Sequence, residues 1–183
     1  MSVKNLFTLF GFLLLVSTIH AQGKYFTKTG KINFYSQAPL EDIEAINKTV
    51  MAVLDAKTGT LQFTVQMKSF EFEKKLMQEH FNANYVESDK YPKAEFKGSV
   101  ANNSAVNYTK EGTYKVAVKG KLTIHGVTKE VSVPGKIVVD PDKKVTTNAT
   151  FKVALKDYNI KNDKVQNISN DIEIRVNVEM PKK

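Results

Sequence analysis

Strict alternation of apolar and polar residues is the feature that most limits what this chain can fold into. In Thr60–Lys68, Leu61, Phe63, Val65 and Met67 fall on one side while Gln62, Thr64, Gln66 and Lys68 fall on the other. This is the period of a β-strand with one buried and one wet face. The pattern returns in Ala94, Phe96, Gly98 and Val100, set against Lys93, Glu95, Lys97 and Ser99. It continues in Tyr114, Val116, Val118, Gly120, Leu122 and Ile124, then in Val131, Val133, Gly135, Ile137 and Val139. Val145, Ala149, Phe151, Val153 and Leu155 form another such row, and Ile172, Ile174, Val176 and Val178 the last. With two weaker segments, Tyr25–Ser36 and Lys48–Ala56, the pattern predicts about eight strands.

Such strands must cover their apolar faces, either by stacking two sheets or by closing one sheet into a barrel. About eight is the number at which a barrel interior is filled by side chains or holds one ligand. The opposite faces are rich in lysine and glutamate, which suits water and not lipid, so the reading is a soluble all-β barrel. The turns agree. In "LTIHGVTKEV" the apolar parity is even up to Ile124 and odd from Val127, as expected for a two-residue hairpin turn at His125-Gly126 with glycine supplying positive φ. "DPDKK", residues 140–144, marks a second turn. One helix is predicted over Phe72–Asn82, with Phe72, Leu76, Met77, His80 and Phe81 on the stripe that covers one barrel end.

The first residues, MSVKNLFTLFGFLLLVSTIHAQG, carry one lysine, the apolar block Leu6–Ile19 and the small residue Ala21. This is the pattern of a secretory signal peptide over residues 1–21, and the block is shorter than the ~20 residues that a spanning helix needs. Residues 22–183 are then a single domain, periplasmic or secreted. The chain has no cysteine, so neither disulfides nor thiolate metal sites are open to it. Its net charge of +8 is spread over separate lysines. That spread predicts a solvated coat, with at most passing contact with an anionic membrane surface, and gives no ground for nucleic-acid binding.

Chemistry-bearing motifs are sparse. After the signal only His80 and His125 remain, without the spacing of a zinc helix. Glu87 and Asp89 near His80 read as solvated loop carboxylates, so no metal is expected. Neither a G-x-S-x-G nucleophile motif nor a phosphate-cradling glycine loop occurs. No cofactor and no catalytic residue follow, and the chain reads as a non-enzyme. The inward row supplies small residues, Ala94, Gly98, Gly120, Gly135 and Ala149, beside aromatics. Either they leave a cavity, or the glycines relieve strain where strands coil.

The run "SFEFEKKLMQEHFNANYVESDKYPKAEFKGSV", followed by "VKGKLTIHGVTKEVSV" and then "KDYNI", resembles the YceI-like family of exported bacterial proteins. The resemblance implies an extended, eight-stranded, antiparallel, lipocalin-like barrel whose channel holds a polyisoprenoid or other long-chain lipid. On this sequence the expected ligand-binding positions are Phe63, Val65, Met67, Phe96, Tyr114, Val116, Ala149 and Phe151. Asn159 stands where the family commonly has glycine, and asparagine tolerates the left-handed conformation that such a turn requires. Two functions remain. One is a carrier or scavenger of a long-chain lipid; the other is a filled-core barrel acting through its surface as a partner-binding or stress-related module.

Overall fold

Each alternating run becomes a ladder strand in the computed structural model, which describes residues 23–37, 41–162 and 168–183. In chain order the strands are β1 (Lys24–Ser36), β2 (Ile43–Asp55), β3 (Thr60–Gln66), β4 (Phe70–Phe72), β5 (Lys93–Val100), β6 (Gly112–Ile124), β7 (Val127–Val139), β8 (Val145–Ala154) and β9 (Asp171–Met180). All pairings are antiparallel, and β1 joins both β9 and β2, so the sheet closes on itself. The short β4 lies on the same flank of β2 as β3, nearer the start of β2. It continues the line of β3 after the 3-10 turn Met67–Ser69, leaving a closed eight-strand wall. The residues read as a signal peptide lie outside the described residues.

The weak alternation in β1 and β2 has a physical cause. In β1 the buried positions are Tyr25 and Thr27, then Gly30, Ile32, Phe34 and Ser36. In β2 they are Ala45 and Asn47, then Val50, Ala52 and Leu54. The register between the strands shifts at Thr27, Gly30 and Ile32. A bulge inserts a residue and flips the parity of everything beyond it, which bends both strands sharply. Asn47 is fully buried at this bend. Its Nδ2 donates to the Gln66 carbonyl at 2.8 Å, and its Oδ1 accepts from the Thr49 N–H at 2.9 Å.

The helix forms, but it is shorter than expected, and one residue of the expected stripe falls outside. Helix α1 covers Lys75–His80 and runs on into a π-turn, Phe81–Tyr85. Leu76, expected on the covered face, is 61% exposed. Met77, His80 and Phe81 of that stripe do line the cavity, joined by Tyr85. They are spaced by three and four residues, a face that leaves out the position before Met77. Phe81 fits among Phe34, Phe70 and Phe72, with centroids 5.1 to 5.6 Å apart, and so forms the lid over this end of the barrel.

The two ends of the interior differ. Toward the start of β1, the side chains of Tyr25, Val50, Leu54, Val139, Val145, Val178 and Met180 are all at most 2% exposed. They make a packed floor, with Tyr108 closing over Tyr25 at 5.9 Å. Toward the lid Phe34, Met67 and Phe70 stay buried, whereas Phe63, Phe96, Leu122, Val133 and Phe151 are only part-buried around a hollow.

Candidate functional site

A cavity of about 240 Å³ occupies the lid half of the barrel. Every wall strand contributes: Phe34 from β1, Ile43 from β2, Phe63 from β3, Phe96 from β5, Val118 from β6, Val133 from β7, Phe151 from β8 and Ile174 from β9. Val116 and Ile124, both in the lining on β6, lie roughly 26 Å apart at ~3.3 Å per residue. A volume of this size strung along such a length is a slot one hydrocarbon chain wide. Its wall is nearly all hydrocarbon, which removes alkyl surface from water but offers few partners for polar groups.

Of the expected ligand-binding positions, Phe63, Val65, Met67, Phe96, Val116, Ala149 and Phe151 line this cavity. Tyr114 does not. It has the right parity, and its register partner Ile137 lines the cavity, but its ring leans back toward Gly112 and its hydroxyl donates to the Lys110 carbonyl at 2.9 Å. Alternation fixes which face a residue takes and says nothing of where a long side chain then reaches. Lining residues that the sequence reading missed include Ile32, Phe34, Phe70, Leu122 and Ile172. Leu122 and Ile172 carried the right period; Ile32 and Phe34 were hidden behind the parity flip in β1.

The small inward residues divide into two kinds. Ala94 and Ala149 border the cavity. Gly98 and Gly120 face each other across β5 and β6, where a side-chain carbon on Gly98 would strike the Lys119 carbonyl and come within 2.6 Å of the Phe96 ring. Glycine is needed here so that two bent strands can approach and the ring can lie along the wall. These glycines leave no void of their own.

A few polar residues, among them Ser36, His80, Lys136 and Thr147, also border the cavity. Glu95 borders it, and a hydrogen bond from the Lys93 ammonium at 3.0 Å holds its carboxyl below the ordinary range. That shift is opposite to the one a general acid needs. His80, Glu87 and Asp89 are not drawn together. His80 borders the cavity, Asp89 meets Lys68 at 2.5 Å, and Glu87 meets His125 at 2.7 Å. Among the described residues no group of three or more His, Asp or Glu side chains is placed to hold a metal ion.

A closed antiparallel barrel with a packed floor, a hollow apolar upper half and a helical lid defines a lipocalin-like cavity protein. The chain belongs to the YceI-like domain family, which it matches over residues 14–180. It is 30% identical over 103 residues to the YceI proteins of Shigella flexneri and Escherichia coli O157:H7. That match covers 54% of this chain, and the chain spans about half, 49%, of the length of these curated relatives. Among solved structures it is similar to a domain from Saccharophagus degradans described as polyisoprenoid-binding and implicated in plant cell wall breakdown. The TM-score is 0.75 at 12% identity, covering 88% of this chain and 99% of that one. Burkholderia cenocepacia BcnA follows, with TM-score 0.67 at 20% identity, covering 82% and 95%. At these identities the likeness to solved structures is one of fold.

Proposed function

We propose that this chain is an exported binding protein that holds one long apolar chain, a polyisoprenoid or another long-chain lipid, in the upper half of its barrel. It acts as a carrier or scavenger and performs no covalent chemistry. The observation that carries this reading is the shape of the cavity: narrow, long and walled by hydrocarbon from every strand. The Saccharophagus domain described as polyisoprenoid-binding supports the ligand class. Each methylene that leaves water for such a slot contributes ~0.8 kcal/mol, so an extended chain binds well without a strong polar anchor. Residues 1–21 direct the chain out of the cytoplasm in this reading, and its lysine coat suits passing contact with anionic membrane surfaces during exchange.

The test is native mass spectrometry of the protein purified from its own host, followed by solvent extraction. The expected result is a mature chain starting at Gln22 that carries a stoichiometric lipid adduct. Protein free of lipid, which also fails to take up a fluorescent polyene fatty acid, would remove the carrier reading and favour a barrel that works through its surface.

A further inference from the structure

The barrel wall is not continuous. Strands β7 and β8 are paired only from Gly135↔Ala149 to Val139↔Val145. Above that rung β7 runs on to Val127 bonded to β6 alone, and β8 runs on to Ala154 bonded to β9 alone. Across this split Val131 and Val133 on one side, and Phe151 and Val153 on the other, line the cavity. The split therefore lies directly over the slot.

Its lower limit has a cause in the sequence. Ala117 turns its N–H to the Asn102 side chain and its carbonyl to the Ala101 N–H, both on the β5 side of β6. Pro134 is the register partner of Ala117. In an antiparallel ladder such a pair exchanges no hydrogen bonds, so the backbone of Pro134 faces away from β6, toward β8. Proline has no N–H to donate there, and the β7–β8 ladder stops one residue away. At the upper limit His125, in the β6–β7 turn, spans the split. Its Nδ1 lies 3.1 Å from the Tyr158 carbonyl beyond the end of β8, its Nε2 meets Glu87, and Tyr91 packs against its ring at 4.3 Å. Glu87, His125 and Asn159 have φ of 44°, 50° and 54°. Left-handed backbone in non-glycine residues is costly, and here it gathers around one tie.

We propose that this split is a lateral gate, through which a single apolar chain passes side-on between β7 and β8, with His125 holding the upper corner. The proposal rests on the cavity being a lipid site. The rest of the fold favours this route over threading from an end: the floor is packed solid around Tyr25, Leu54 and Met180, and the lid seats Phe81 among three aromatic rings. A side opening between two strands also asks less of the structure, because no ladder hydrogen bonds need to break along it.

The chain has no cysteine, so a staple can be placed cleanly. Ser132 and Lys152, both exposed, would face each other if the β7–β8 ladder continued upward. S132C/K152C joined by a short bis-maleimide holds the split shut. E41C/K74C, placed where Lys74 meets Glu41 at 2.5 Å, ties the lid down instead. Uptake and release of cis-parinaric acid are followed by stopped-flow fluorescence in each stapled protein, and in the same variants capped with N-ethylmaleimide. The expected result is that the β7–β8 staple slows both rates by about an order of magnitude or more, leaving the equilibrium affinity near that of the capped control, while the lid staple has little effect. Slowing by the lid staple alone, equal slowing by both staples, or no slowing by either overturns the gate and leaves the lipid site standing. Absence of polyene uptake by the unmodified protein overturns both.

Discussion

Asn47 reaches from the bulge of β2 to the end of β3, donating its side-chain N–H to the Gln66 carbonyl at 2.8 Å from a position with no exposed surface. The same side chain accepts from both the N–H and the hydroxyl of Thr49. One buried amide thus completes the bend of β2 and the point where the β3 line breaks into its 3-10 turn. Asn47→Ala leaves the Gln66 carbonyl and the Thr49 N–H, both in part-buried hydrogen bonds, without that partner. Each such group costs about 1–3 kcal/mol, so urea denaturation is expected to show a loss in that range or above it. Asn33→Ala, which removes only an exposed 3.4 Å contact with Glu44, is expected to stay within about 0.5 kcal/mol. Equal losses at the two positions would mean that Asn47 is not what holds the bend.

The lid separates two residues that look alike in sequence. Phe81 packs against Phe34, Phe70 and Phe72, whereas Leu76 is exposed. Phe81→Ala should cost about 3 kcal/mol, the lower end for aromatic truncation because the ring also faces the cavity. Leu76→Ala should change stability by less than about 0.5 kcal/mol. A large loss at Leu76 in thermal melts would contradict its exposed position on the helix.

Much of the barrel was legible because a strand with one wet face writes its period into the chain. The β6–β7 hairpin is the clearest case: the parity flip falls at His125-Gly126, the rung below is Ile124↔Val127, and both turn residues have positive φ. Asn159 also takes the left-handed conformation expected of it. What was lost to the reading was lost for physical reasons. Bulges in β1 and β2 reverse the parity in mid-strand, which hid Ile32 and Phe34. The helix starts only at Lys75, with Phe72 left in β4, so Leu76 sits in an exposed first turn. The direction a long side chain takes within its face has no periodic signature, so Tyr114 could not be told from Val116. Gly98 was read as possible empty space, yet the Phe96 ring occupies it. Pro134 was legible and was missed: a proline inside an alternating run marks an edge.

Alkaline pH should loosen the floor before it affects the slot. Burial raises the phenol pKa of both Tyr25 and Tyr108, and the Tyr108 hydroxyl donates to Asn103 Oδ1 at 2.7 Å. The fold favours the neutral phenols. Their contribution is therefore complete below the unfolded value of 10.0 and is lost as the pH rises above it toward the folded values. Melting temperature is expected to fall more steeply with pH above about pH 10 in the parent than in Tyr108→Phe. Parallel slopes would remove the floor tyrosines as the cause.

The decisive variant for function is Ala149→Leu, because the two readings of the barrel predict opposite outcomes for it. Ala149 lines the cavity beside Phe151 and sits opposite Gly135 in the last rung of the β7–β8 ladder. A leucine there projects extra carbon into the slot at mid-height. If the slot is empty space kept for a ligand, the added side chain fills it, so the variant keeps its melting temperature and loses uptake of the fluorescent polyene. Overpacking a filled core instead costs about 1–3 kcal/mol, which would lower the melting point and leave nothing to lose in binding. Ala94→Leu, in the same cavity on β5, repeats the experiment away from the split, at a rung paired with Val65 of β3. Loss of polyene uptake at both positions with unchanged melting establishes the slot as the binding site. Destabilisation at both, in a parent that takes up no polyene, would leave the hollow as a packing defect and move the search for function to the surface.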